Sequence, residues 1–212
     1  MKSVKRSLTV LAALLCAVTV SAQSAEEIVS NMEAAMSQHE KEGVVVTTDT
    51  KIPVVGTMSV KSYLLGDKMR LETKVMGVSI LTWSDGVTTW VYNDKKNTIE
   101  IKDSDMAGSD DAGDTGMFSG ITDVYDVSIS KETDTAWYIQ CKKSRNNKAK
   151  NAPKTMNLVV AKGTFYPLGL SAKASGVNMR MYDISFGVTE ADVHFDINDY
   201  PDAKIVDKRK NP

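Results

Sequence analysis

Cysteine is scarce in this chain: two occur in 212 residues, Cys16 and Cys141. So few cannot build a disulfide framework, and any core must be held by burial alone. Histidine is equally scarce. His39 and His194 lie far apart, outside any spacing such as H-E-x-x-H that sets two imidazoles on one helix face. A G-x-S-x-G nucleophile elbow, a P-loop and a dinucleotide-binding glycine fingerprint are missing too. These absences argue against the motif-bearing hydrolases, NTPases and dehydrogenases. No enzyme, cofactor or metal is expected. An excess of one charge is lacking as well: 26 Lys plus Arg face 27 Asp plus Glu. A net charge of −1 gives no general attraction to nucleic acid, and none is expected as a partner.

Long apolar runs are limited to one. Residues 8–20 are apolar apart from Thr9 and Thr19, and Lys2, Lys5 and Arg6 precede them. The run is too short to span a bilayer as a helix. With Val20-Ser21-Ala22 after it, it reads as a secretory signal cut after Ala22. Cys16 lies inside the run behind the large Leu15, so no lipobox is read and no lipid anchor is expected. The expected product is one exported, unanchored domain, residues 23–212. It is large enough to bury a core, and a monomer is expected. Cys141 is then its sole thiol, in an apolar strand pattern that predicts a buried, inert side chain.

What the chain does have is one helix and many strands. Ser24-Ala25-Glu26-Glu27 reads as a capping box. Ile28, Met32 and Met36 follow at four-residue spacing, with Val29 and Ala35 beside them, and predict a helix of about four turns ending near Gly43. Strands are predicted at 44–50, 57–65, 68–76, 78–83, 87–92, 98–102, 124–130, 136–142, 155–161, 169–174 and 178–186, with another at 192–196. Residues 117–125 have room for one helical turn. In the third strand Met69, Leu71, Thr73 and Val75 alternate with Lys68, Arg70, Glu72 and Lys74. No helices alternate with the strands, so the sheet should be antiparallel. The expected fold is mainly β with helices: a strongly curved antiparallel sheet, or half-open barrel, with the N-terminal helix on its concave face.

Two loops stand out. The segment 103–116 is rich in Asp, Gly and Ser, but Ala107 and Asp114 break an EF-hand spacing; it is read as a solvated loop. The segment 142–154 is basic. Its Lys142, Lys143, Arg145, Lys148 and Lys150 are candidates for docking a partner or an anionic membrane.

Eleven methionines, flexible and polarisable, suit a surface for varied apolar ligands. The segment Trp83-Ser84-Asp85-Gly86-Val87-Thr88-Thr89-Trp90-Val91-Tyr92-Asn93 resembles the S-D-G-x-x-x-W-x-Y segment of the LolA-like periplasmic lipoprotein carriers. The opening helix, the run of strands and the tail at 195–210 also resemble that family. The resemblance implies a greasy cavity under a helical lid that ferries acylated lipoproteins, or other acyl-chain cargo. An inner-membrane transporter and an outer-membrane receptor would be its partners. The lining expected on the concave face is Met69, Leu71, Leu81, Trp83 and Trp90 from strands, with Met32 and Met36 from the helix. A non-catalytic envelope sensor of the same fold is the alternative. One departure stands out: where the family often has an Arg-Pro pair that helps hold the lid, this chain reads Gly66-Asp67, with Arg70 nearby.

Overall fold

The computed structural model describes residues 23–39, 41–54, 56–104, 118–145, 147, 152–174 and 176–210. Helix α1 is Ala25–Gln38. Its capping box forms as expected: the Glu27 amide donates to Ser24 Oγ at 3.1 Å, and the Ser24 amide donates to Glu27 Oε2 at 3.0 Å. The helix ends at His39, before Gly43. Gly43 has φ +67°, and a Cβ there would meet the Leu64 carbonyl at 2.5 Å. Only glycine fits both the conformation and the space.

Eleven strands follow the expected plan. They are β1 (Val44–Ile52), β2 (Gly56–Leu65), β3 (Lys68–Val75), β4 (Val78–Ser84), β5 (Thr88–Asn93), β6 (Thr98–Asp103), β7 (Tyr125–Glu132), β8 (Ala136–Lys143), β9 (Thr155–Ala161), β10 (Pro167–Ala174) and β11 (Val177–Phe186). A helical turn, α2 (Ile121–Val124), precedes β7. The strand expected at 192–196 is not one. That segment holds a short helix, α3 (Glu190–Val193), closed by the Thr189 and Asp192 side chains, whose short polar groups compete for the backbone amides. A twelfth strand, β12 (Lys204–Asp207), was not anticipated.

All twelve strands form one curled, unclosed sheet in the order β12-β6-β5-β4-β3-β2-β1-β11-β10-β9-β8-β7. Pairing is antiparallel except where β12 lies parallel to β6. Helix α1 lies on the concave face. Its Ile28, Val29, Met32 and Met36 are buried in one core with Ile139, Cys141, Leu158, Val160 and Leu170, which come from β8, β9 and β10.

A bulge in β11 makes this core possible. The register with β1 slips between Val45 and Thr47, and Asp183 takes φ +52°. The extra residue lets Met179 and Met181 below it, and Ile184 and Phe186 above it, all pack against the same core.

Candidate functional site: the concave face of β2 to β5

The pairing registers sort every strand side chain onto one of two faces. Val46, Ser62, Leu71, Thr82 and Val91 stand side by side across β1 to β5. The neighbouring rows are Thr48, Val60, Thr73 and Ile80, then Val44, Leu64, Met69, Ser84 and Thr89. Val44 pairs with Phe186 and Thr48 with Met181, and both partners pack on the core under α1. These rows therefore belong to the concave face.

Beyond β1 that face mixes apolar side chains with Ser and Thr; Ser84 and Thr89 are buried, but the apolar members are not sealed. Val60, Leu64, Met69, Leu71, Ile80 and Val91 are each only partly buried, and none belongs to the core cluster. Successive inward residues on a strand lie about 6.8 Å apart. The rows thus make a strip roughly 20 Å long when Met58, Val75 and Val78 at its far end are included. At β6 the strip stops: Glu100 follows Val91 in the row and is paired with Lys208 at 2.8 Å.

On the opposite, outer face of the same strands the chain's C-terminal segment packs around Trp83 and Trp90. Trp83 and Trp90 are cross-strand neighbours there. Phe195 stacks on Trp90 at 5.1 Å and lies 5.3 Å from Trp83. Tyr200 packs between Trp83 and Tyr92. Lys68 holds Glu190 at 2.6 Å, and the Lys210 amide reaches Asp103. Burial raises the Tyr200 pKa. Trp83 is 5 % exposed and Ile99 is fully buried under this cover.

The seven side chains grouped by the sequence reading are therefore separated. Met69 and Leu71 stand on the concave strip. Met32 and Met36 lie between helix and sheet, at 0 % and 2 % exposure. Leu81, Trp83 and Trp90 are on the other side of the sheet. The apolar residues on both faces of β4 do not widen a cavity. One face is open, and the other is packed beneath the C-terminal segment. The sequence did carry a signal for the missed Val60, Ile80 and Val91: once β3 is set by its alternation, cross-strand pairing places them beside Leu71 and Thr73. Phe195 and Tyr200 carried none, because they reach Trp83 across more than a hundred residues.

The Ser84-Asp85-Gly86 segment shapes the turn into β5. Asp85 Oδ1 accepts from the Val87 and Thr88 amides at 2.9 and 2.7 Å. Arg70 is on the outer face, paired with Glu72 and lying 5.1 Å from the Tyr63 ring centroid. The sheet separates it from α1, so it makes no contact that could hold that helix.

Cys141 is buried, and burial pushes its thiol up to about 11, which keeps it protonated and unreactive near neutrality. His194 is exposed, while His39 stacks on Phe186 and bonds to the Tyr166 hydroxyl. No His, Cys, Asp or Glu cluster suited to a metal occurs among the described residues. Of the basic loop, Lys142 and Arg145 are exposed and Lys143 is partly buried. Lys148 and Lys150 lie outside the described residues, as do 1–22 and most of the acidic loop.

No protein-family model matches the chain, and no curated protein matches it in sequence. Solved structures do. Mycobacterium tuberculosis lipoprotein LppX is similar at a TM-score of 0.53 with 13 % identity, over 79 % of this chain and 98 % of that one. An uncharacterized conserved protein from Thermus thermophilus is similar at 0.46 and 16 %, over 87 % and 99 %. A LolA superfamily protein from Nitrosomonas europaea is similar at 0.32 and 11 %, over 84 % and 100 %. The curled, unclosed sheet, with the one long helix of the described residues on its concave face, is a fold this chain shares with LppX.

Proposed function

We propose that this protein is an exported carrier that holds acyl chains, those of lipoproteins foremost, against the concave face of β2 to β5. The observation that carries the reading is the contrast between the faces of those strands. The outer one has Phe195 and Tyr200 packed on it, with Trp83 buried beneath them, while Leu64, Met69, Leu71, Ile80 and Val91 are left partly open beside the core, with no such element among the described residues over them. Each methylene moved from water onto such a surface is worth about 0.8 kcal/mol. A chain lying along a strip of roughly 20 Å would therefore be held without any polar partner, and no bond need be made or broken. In this reading Met69 and Leu71 touch cargo. Met32 and Met36 support the strip from the core, and Leu81, Trp83 and Trp90 hold the sheet rigid from behind.

The signal at residues 1–22 would release the mature chain, free to diffuse, into the periplasm. The basic residues at 142–145 would meet a transporter or receptor. Among the described residues no helix is long and apolar enough to cross a membrane.

The test is uptake of an environment-sensitive acyl dye, with native mass spectrometry of protein purified from a bacterial envelope. Leu71→Glu should cut dye binding at least about tenfold, since it sets a charge against an apolar ligand. Trp90→Leu on the outer face should leave binding unchanged. Absence of both lipid and dye binding in the unmodified protein would sink the carrier reading and leave the sensor of the same fold.

A further inference from the structure

We infer that the end of the sheet formed by the β1–β2 and β3–β4 hairpin tips docks directly onto the surface of an anionic phospholipid bilayer. In the antiparallel order, β1, β3 and β5 run the same way, so the turns that follow them lie at one end. Two of those turns hold a large apolar side chain pointing wholly into water: Val54 is 108 % exposed and Met76 94 %. The two hairpins are neighbours through the β2–β3 pair, which sets their tips roughly 10 Å apart.

Neither residue suits its backbone. Val54 has φ +71° and Met76 φ +50°. Left-handed backbone is unfavourable for any residue with a Cβ, and most of all for a β-branched one. Met76-Gly77 is a two-residue hairpin loop with both φ values positive, the turn for which Asn-Gly is the favoured pair. Local folding therefore explains neither methionine here nor valine at 54. A surface that receives apolar tips explains both.

The surroundings specify what that surface is. Lys51 and Lys74 flank the two tips, and Lys95 and Lys96 stand in the next turn at the same end. All four are exposed, against the carboxylate of Asp94. Below this end, on the outer face, Lys51, Lys173 and Arg180 share a cleft of about 370 Å³ with Asp49. Apolar tips ringed by lysines match an acyl boundary beneath anionic headgroups, each lysine adding attraction to the surface.

The geometry also links docking to cargo. Met58, Val75 and Val78 lie at the base of these tips, in line with Val60 and Ile80 on the concave strip. An acyl chain could pass from the bilayer to the strip without crossing a polar rim. That purpose rests on the carrier reading above; the docking itself does not.

The experiment is co-sedimentation of the mature chain with vesicles of phosphatidylglycerol and phosphatidylcholine, beside vesicles of phosphatidylcholine alone. Binding is expected to the anionic vesicles, and to fall with added salt. Val54→Asn and Met76→Asn should each reduce it about tenfold, yet raise the melting temperature because Asn tolerates a left-handed turn. Loss of binding together with loss of stability, or equal binding by both variants and the parent, would overturn the inference. So would no binding at low salt. Acyl-dye uptake measured without vesicles separates the two readings. Uptake without vesicle binding rejects the docking end alone, and vesicle binding without uptake rejects the carrier alone.

Discussion

In β8 and β9 the inward side chains Ile139, Cys141, Leu158 and Val160 are fully shielded from water, while the inward Leu64, Leu71 and Ile80 of β2, β3 and β4 are only partly covered. Both groups lie on the same face of the same sheet, and both are apolar. The difference is the element above them. Helix α1 has 14 residues, hence a length of about 21 Å and a width of about 10 Å. With strands about 4.8 Å apart, one such helix covers only part of a twelve-stranded sheet. The cover falls on β7 to β10, where the helix packs, and the other half must find another partner for its apolar surface. On its outer side the partner is the segment running from Val188 to Lys210. On its inner side we propose cargo.

The outer seal gives the largest expected effect. Trp83→Ala should cost about 3–5 kcal/mol in denaturant unfolding, as for a buried aromatic, while the folded fraction still binds acyl dye. Lost binding at unchanged stability would instead put Trp83 in the site. The next comparison sets the two halves against each other. Leu158→Ala should cost about 2–5 kcal/mol because it leaves a closed cavity, and Leu71→Ala below about 1 kcal/mol because its space is already open. Equal losses would mean that the strip is sealed core.

Acidity tests the covered half in another way. Burial raises the Cys141 thiol from its usual 9.0 to about 11. Unfolding therefore releases a proton in alkali. The contribution of the buried thiol should be intact below about pH 9 and decline as pH rises toward 11. Unfolding curves of Cys141→Ala should lack that part of the alkaline slope, and thiol labelling of the native protein at pH 8 should be slow. A small effect belongs to the helix end. Ser24→Ala removes one half of the capping box and should cost about 1 kcal/mol, read as a lowered melting temperature with acyl binding retained.

Much of this fold was legible along the chain. The capping box at Ser24 and Glu27, the alternation of β3 and the bounds of β9 all come from local chemistry: hydrogen bonds within four residues and a side-chain period of two. The candidate site was half legible. Period two separates Met69 and Leu71 from Arg70 in β3, but β4 places apolar groups on both sides, so its pattern does not say which side is inward. The 192–196 segment misled for a related reason. Its alternating Val193 and Phe195 are buried or stacked against Trp83 and Trp90, not paired in a ladder.

By itself the sequence determined the inventory: one amphipathic helix, a succession of antiparallel strands, an inert thiol at Cys141, and apolar surface in excess of what one helix can cover. Those follow from local propensity and composition. Which excess is covered was decided only by tertiary structure. The choice depends on contacts between residues far apart in the chain, Trp83 with Tyr200 and Val44 with Phe186, and on a bulge at Asp183 that turns four inward side chains of β11 onto one face. No local pattern encodes such pairings, because the free energy that selects them is the burial of surfaces that meet only once the sheet has curled.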